Sequence, residues 1–172
     1  MSLLVGPEGQ REDAFTPVDG IEALSLSAGA VLVPLEVVDQ ALADRRNAPI
    51  GLALDGAAPL SAAEPYLRDV QLISVRFPSF SDGRGFTLAK RLRRAGFTGT
   101  LRASGPLIAD QFAEALACGF DEVWLPAEMA ARQPLEQWMA ARTIVSEHYQ
   151  TGYGEDRSIL QKRLAAREAE PS

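Results

Sequence analysis

Residues 70–103 decide the fold, and they read VQLISVRFPSFSDGRGFTLAKRLRRAGFTGTLRA. The apolar run Val70–Phe77 is typical of a buried strand, and the helical spacing of apolar residues predicts a helix over Gly85–Ala95. A short run over Thr100–Ala103, which follows two glycines, predicts the next strand. A strand, a helix and a second strand in succession are typical of the β-α-β unit of parallel sheets.

The same alternation continues on both sides of this unit. Strands are predicted at Val31–Pro34, Ile50–Asp55 and Glu122–Leu125, and helices at Glu36–Arg46, Ser61–Leu67, Ile108–Ala117 and Pro134–Tyr149. We therefore expect an α/β fold: a single domain of about five mostly parallel strands alternating with helices, in a flavodoxin-like open sheet. An incomplete β/α barrel is the alternative.

The length of 172 residues fits one domain with a core of its own. Residues 1–29 are a weakly patterned N-terminal segment, in which Leu3–Val5 and Ala14–Thr16 are candidates for short extended pieces. The α/β domain is expected over residues 30–150. Residues 151–172 are rich in charge and are expected to form a final helix or a tail.

Composition excludes several classes of protein. A net charge of −6 argues against a surface that binds nucleic acid, because phosphate binding needs a positive footprint. Cys118 is the only cysteine, so the chain cannot form an internal disulfide or hold an iron–sulfur cluster by itself. No metal site is predicted. No apolar run is long enough to span a membrane, so we expect a cytoplasmic protein.

Charged and small residues gather where the predicted strands end. Ligands of parallel sheets bind beyond the carboxyl ends of the strands, and those ends carry Asp55, Arg76 with the loop 79–85, and Arg102. Because two of the ends bear an arginine, we expect Arg76 and Arg102 to lie on the same edge of one sheet. This edge is the predicted binding site.

The loop 79–85 contains Asp82, Gly83, Arg84 and Gly85. In a purely structural interpretation it is a turn in which the aspartate caps the helix that follows. A cation at the start of a helix opposes the helix dipole, so Arg84 favours a site in which an anion sits over the same backbone amides. We expect Arg84 and Arg102 to converge on one anion.

Two further patterns have alternative interpretations. The glycines of the loop resemble part of a nicotinamide-binding fingerprint, but Leu88 occupies its third glycine position. The cations Lys90, Arg91, Arg93 and Arg94 fit either the solvated face of an amphipathic helix or a docking surface for an acidic protein. Cys118 lies on an apolar stripe, so we expect a buried thiol that reacts slowly.

Five short motifs together resemble a known family. They are residues 77–86, 99–103, 110–111, 118–121 and 149–150. In this order they resemble domain-of-unknown-function family 934, short bacterial proteins encoded beside sulfite reductase and often labelled oxidoreductases. The resemblance covers residues 30–150 and implies a role in assimilatory sulfur metabolism, in the pathway of cysteine biosynthesis. It also marks Asp110 and Gln111 as candidates beside the residues of the loop and Arg102.

The sequence therefore predicts an accessory protein of sulfite or sulfate reduction. It would bind a small anion or a nucleotide at arginine-lined strand ends and dock on a reductase such as a sulfite reductase subunit. The alternatives are a small oxidoreductase with a bound nicotinamide or flavin cofactor, and an oligomeric scaffold without a ligand. No catalytic residue is assigned. The candidate binding residues are Arg76, Ser79, Asp82, Gly83, Arg84, Gly85, Arg102, Asp110 and Gln111.

Overall fold

The structure is a computed structural model that describes residues 1–44 and 47–142. The strands are β1 Leu3–Gly6, β2 Gly9–Arg11, β3 Thr16–Pro17, β4 Val31–Pro34, β5 Ile50–Asp55, β6 Leu72–Arg76, β7 Thr100–Ser104 and β8 Glu122–Leu125. The α-helices are α1 Ile21–Leu26, α2 Leu35–Asp44, α3 Leu60–Ala63, α4 Arg84–Arg94, α5 Phe112–Cys118 and α6 Ala127–Arg132. Short 3₁₀ turns cover Glu64–Tyr66 and Ala109–Gln111, and residues 135–142 are helical.

The strands form one sheet in the order β2-β1-β8-β7-β6-β5-β4-β3. Strands β3 to β8 are parallel and adjacent in chain order, whereas β1 and β2 are added antiparallel at the β8 side. The predicted α/β class and the mostly parallel open sheet are confirmed. The sequential strand order is that of the incomplete barrel and not the flavodoxin order, in which the first strand lies inside the sheet.

The described sheet has eight strands, and the five predicted ones are β4 to β8. The three additional strands come from the weakly patterned N-terminal segment. The extended piece predicted at Leu3–Val5 is confirmed as part of β1, whereas the one predicted at Ala14–Thr16 overlaps β3 only at Thr16. Strand β2 was not predicted, because three residues are too few to display the alternation by which a strand is identified in a sequence. The predicted helix over residues 108–117 is a 3₁₀ turn followed by α5, and α6 was not predicted.

The connection from β2 to β3 shows that the sheet is strongly curled. These strands are the two edges of the sheet, seven strand spacings apart, which is about 34 Å in a flat sheet. Only residues 12–15 join them, and the five steps from Arg11 to Thr16 reach at most about 18 Å. The two edges must therefore approach each other, so the segment 12–15 bridges the open side of a nearly closed barrel.

The convex face of the sheet carries the hydrophobic core. Right-handed crossovers between strands in sequential order place all the connecting helices on one face of the sheet. The residues on that face are apolar and almost completely buried; examples from five neighbouring strands are Val33, Leu52, Ile73, Leu101 and Val123. Helix α4 packs here through Phe86, Leu88, Ala89 and Leu92. The core therefore lies between the sheet and the helices.

The concave face has a different character. Alternate residues of each strand point to this face, and the register aligns Ala53, Ser74, Arg102 and Glu122 in one row across the sheet. Three of these four residues are polar, although Ser74, Arg102 and Glu122 are all buried. Polar residues at buried positions need partners, so this face is a candidate for a binding site.

Two further predictions concern the helical layer. Cys118 is buried at the end of α5, where burial raises the pKa of its thiol although Lys90 acts in the opposite direction. Its slow reaction with thiol reagents stays a prediction.

No described helix has the length and apolar character to cross a membrane. Residues 143–149 of the last predicted helix, and the segment 151–172, lie outside the described residues.

Candidate functional site

A cavity of about 240 Å³ lies on the concave face, towards the carboxyl ends of the parallel strands. Its lining consists of Asp13, Pro17, Leu32, Ala53, Ser74, Arg76, Arg102, Ser104, Gly105 and Trp124. Six strands or their adjoining loops contribute to it, so the cavity is a product of the curled sheet and not of one loop. This end of the strands is also where β/α barrels place their active sites.

Arg102 is held inside this cavity by two carboxylates. Its Nε donates to Glu122 at 2.8 Å, and its two terminal nitrogens donate to the carboxylate of Asp13 at 3.0 and 2.9 Å. Arg11 in turn donates to Glu122 at 3.2 Å. The side chain of Arg102 is only 4% exposed. Its charge is therefore already balanced by the protein, as burial of a guanidinium requires.

Asp13 belongs to the segment 12–15 that bridges the open side of the barrel. Besides its two bonds with Arg102, its carboxylate accepts a hydrogen bond from the backbone amide of Phe15 at 3.0 Å. The bridging segment is consequently tied to the middle of β7, 89 residues away in sequence. This contact closes one side of the cavity.

Arg76 differs from Arg102 because its guanidinium is free. It is the last residue of β6, it is exposed, and it makes no side-chain hydrogen bond or ion pair with any residue that the structure describes. Its register neighbours are Asp55 and Ser104, and the Asp55 carboxylate instead accepts a bond from the backbone amide of Ala57. Arg76 thus brings an uncompensated positive charge to the cavity.

The remaining polar groups on the cavity wall bond to one another. Ser74 donates to Ser104 at 3.3 Å, and Ser104 donates to the carbonyl of Val75 at 3.4 Å. Gly105 has a φ of +126°, and a Cβ there would lie 2.2 Å from the carbonyl oxygen of Phe77. Only glycine fits this turn, which brings the end of β7 against the end of β6.

The loop 79–85 forms a separate local structure. Asp82 accepts hydrogen bonds from the backbone amide of Arg84 at 3.1 Å and from its guanidinium at 2.9 and 2.5 Å. These bonds, above all those from the guanidinium, lower the pKa of Asp82 from 3.8 to about 2. Arg84 is exposed and its charge is compensated two residues away. The predicted aspartate cap is wrong in its position, because Gly83 is the N-cap residue and α4 has no side-chain cap hydrogen bond. Asp82 lies one residue earlier and bonds to the backbone amide and the guanidinium of Arg84.

The two glycines of this loop have different roles. Gly83 precedes α4 with an ordinary φ of −84°, and a Cβ there would meet nothing within 4 Å. At Gly85 a Cβ would lie 2.4 Å from the ring of Phe77, which is itself buried against Phe86 with ring centres 4.9 Å apart. Gly85 therefore allows α4 to pack on the core, a structural role.

The other candidates of the sequence lie around the same loop. Ser79 shares a hydrogen bond with Ser81 at 3.0 Å. Gln111 donates to the carbonyl of Phe80 at 2.6 Å and accepts from the amide of Ile108, so it fastens the loop to the turn before α5. Asp110 is exposed and has no hydrogen bond to either Arg84 or Arg102.

The structure brings some of the predicted residues together and separates others. Arg76 and Arg102 line the same cavity, as expected from their strands. The expected convergence of Arg84 and Arg102 is not found: Arg84 lies instead in a second, exposed cavity beside Gly56 and Arg91. The reason is that Arg102 lies on the concave face, whereas Arg84 begins a helix on the convex face.

Sequence reasoning missed Asp13, Ser74, Glu122 and Trp124. A signal for three of them is present, because polar residues recur two positions apart at Ser74 and Arg76 and at Arg102 and Ser104, and Glu122 and Trp124 have the same spacing on the next strand. Such alternation marks one face of each strand. No signal identifies Asp13, whose role depends on the curl of the whole sheet. Within the described residues no group of three metal-binding side chains occurs.

A second surface feature is the outer side of α4. Lys90, Arg91 and Arg94 are exposed there and form no hydrogen bond or ion pair within the described part of the chain. Arg93, by contrast, is bound to Asp121 at 2.6 Å and to three carbonyl groups. We call Lys90, Arg91 and Arg94 the basic face of α4. The helix thus carries three exposed cations without a partner among the described residues.

Comparison with known proteins identifies a family. A sequence model of a bacterial protein of unknown function, DUF934, matches residues 51–160. The match includes β5 to β8, the loop 79–85 and all cavity residues except Asp13, Pro17 and Leu32. No curated protein matches the chain.

Proposed function

The chain belongs to the DUF934 family of bacterial proteins of unknown function, and on that premise we propose that it is an accessory protein of assimilatory sulfite or sulfate reduction. In this role it binds a small anion in the cavity of the concave face and docks on a reductase. The observation that carries the proposal is the free guanidinium of Arg76 on an otherwise charge-balanced cavity.

The balance of charges supports an anion in this place. Arg102 is neutralised by Asp13 and Glu122, which leaves Arg76 as the cation able to bind a ligand. A guanidinium can donate two parallel hydrogen bonds to one oxyanion, and such charge-assisted bonds are about twice as strong as neutral ones. An anion here gains a partner without displacing any ion pair of the protein.

The size of the cavity restricts the ligand. At about 240 Å³ it is smaller than the roughly 300–1,000 Å³ of pockets that enclose drug-sized molecules. A whole nicotinamide dinucleotide therefore does not fit inside it. The cavity of the concave face is therefore suited to a small anion and not to an enclosed dinucleotide cofactor.

Sulfur metabolism enters the proposal only through the motif resemblance, which implies a gene position beside sulfite reductase. The docking part rests on the basic face of α4. The net charge of the protein is −6, but the three unpaired cations on this helix create a positive field around it. Such a field suits an acidic patch on a protein partner.

The anion site is tested by calorimetric titration with sodium sulfite. We compare the wild type with Arg76→Gln and with Arg84→Gln, an arginine outside the cavity. Loss of a charged hydrogen bond costs about 1.5–3 kcal/mol, so Arg76→Gln should weaken binding about 10- to 150-fold. Arg84→Gln should bind as the wild type does. Equal binding by all three proteins would place the anion elsewhere.

The docking surface is tested by co-purification with sulfite reductase at low and high salt. Reversal of the basic face in Lys90→Glu/Arg91→Glu/Arg94→Glu should abolish the complex, and salt should weaken it in the wild type. Arg132→Glu, an exposed cation on α6, is the control and should leave the complex intact. A complex that survives the triple reversal would show that the reductase does not dock there.

A further inference from the structure

We infer that the ligand of the cavity is an organic monoanion: a carboxylate or sulfonate group at Arg76 joined to an apolar body that packs against Trp124. This inference rests on the proposed anion site and names its ligand class. It also separates that ligand from free sulfate and other inorganic dianions, which the same site would otherwise be expected to take.

The net charge of the cavity fits one negative charge. The lining of the cavity contains two cations, Arg76 and Arg102, and one carboxylate, that of Asp13. Outside the lining, Glu122 is shared between Arg102 and Arg11, and Asp55 beside Arg76 is not a lining residue. One positive charge remains, and it belongs to Arg76. A monoanion would neutralise it, whereas a dianion would leave a negative charge close to Asp13.

The supply of hydrogen-bond donors is equally limited. The guanidinium nitrogens of Arg102 bond to carboxylates, Ser74 donates to Ser104, and Ser104 donates to a backbone carbonyl. The amide of Gly105 donates to the carbonyl of Trp124. Besides the guanidinium of Arg76, the indole N–H of Trp124 is the remaining side-chain donor of the lining. A sulfate ion inside the cavity would therefore keep oxygens without donors, which is unfavourable for a buried charge. A single acid group at Arg76 avoids this cost.

Apolar surface makes up the rest of the wall. Leu32 and Ala53 lie on the same face of the neighbouring strands β4 and β5, two residues apart in register, and Pro17 and Trp124 complete the apolar lining. Leu32, Ala53 and Trp124 are only half-buried. The volume corresponds to about eight water molecules at roughly 30 Å³ each, far more than one oxyanion group fills. Displacing that water with an apolar body gives binding energy in proportion to the area covered.

The experiment is a calorimetric titration with four probes: benzenesulfonate, benzoate, methanesulfonate and sulfate. We expect benzenesulfonate and benzoate to bind at least about tenfold more tightly than methanesulfonate, because the ring covers apolar wall, and sulfate to bind most weakly. Arg76→Gln should weaken all three monoanions. Ala53→Leu fills the cavity and should remove the advantage of the ring while methanesulfonate still binds.

Trp124→Leu supplies a second test of the apolar wall. It should lower the affinity for benzenesulfonate several-fold and leave methanesulfonate unchanged. If sulfate binds as tightly as benzenesulfonate, and both depend on Arg76, the organic monoanion is refuted while the anion site stands. If Arg76→Gln lowers the affinity for none of the probes, the anion site itself is refuted. If the ring compounds keep their advantage in Ala53→Leu, they bind outside the cavity.

Discussion

The loop 79–85 and the cavity of the concave face contain the same chemistry, arranged in opposite ways. In the loop, Asp82 and Arg84 are two residues apart and neutralise each other in an exposed turn. In the cavity, Arg102 is neutralised by Asp13, which is 89 residues away, and by Glu122, which is 20 residues away. The guanidinium of Arg76 remains free. Opposite charges that are close in sequence can thus pair within one turn, whereas the geometry of the sheet can leave a charged side chain without a partner.

The largest expected difference between the two regions is in stability. Arg102→Ala leaves the buried Glu122 with Arg11 as its remaining partner, so it should lower the free energy of unfolding by about 3 kcal/mol. Arg84→Ala removes an exposed pair and should leave the unfolding midpoint unchanged. Chemical denaturation measures both. Equal stability of the two variants would mean that the buried network does not hold the barrel together.

The two glycines of the loop 79–85 are expected to differ in their effect on stability. Gly85→Ala forces a methyl group against the buried ring of Phe77 and should destabilise the protein by about 1–3 kcal/mol. Gly83→Ala has open space and an ordinary φ, so it should be neutral or stabilise by up to about 1 kcal/mol. Thermal unfolding of the pair distinguishes them. A destabilised Gly83→Ala protein would show that the loop geometry matters in a way that packing does not explain.

The smallest expected effect is the titration of Asp82. Its pKa is lowered to about 2 by the guanidinium and the amide of Arg84, and Arg84→Gln should raise it towards its ordinary value of 3.8. Because the folded pKa is depressed, the stabilisation is complete above pH 3.8 and is lost as the pH falls towards 2. NMR titration of the side-chain carboxyl carbon measures this. A pKa near 3.8 in the wild type would contradict the pair.

The sequence was sufficient for the local elements and for much of the topology. Apolar strands such as Ile50–Asp55 and Glu122–Leu125 were predicted at their observed bounds, because continuous apolar runs between turns are strong signals. The strand order was open between two arrangements, since both are built from the same β-α-β units. It is set by packing between elements, which single-sequence periodicity does not contain.

The candidate site was predicted only in part, for a physical reason. Arg76 and Arg102 were placed on one edge because each follows a parallel strand. Asp13 and Glu122, which neutralise Arg102, are brought to it by the curl of the sheet and by cross-strand register. The compact motif around Arg84 predicts a ligand site, but the structure pairs this arginine with Asp82 in the same turn.

We propose that the protein binds its ligand in the cavity and not at the loop 79–85. The most direct measurement is an NMR titration of ¹⁵N-labelled protein with benzenesulfonate. The indole signals report separately, because the chain has two tryptophans: Trp124 lines the cavity, and Trp138 is buried against Phe112. We expect the signals of the Trp124 indole and the Gly105 amide to shift until they saturate. The signals of the Trp138 indole and the Gly83 amide should not change. Shifts of Gly83 and its neighbours with a silent Trp124 would contradict it.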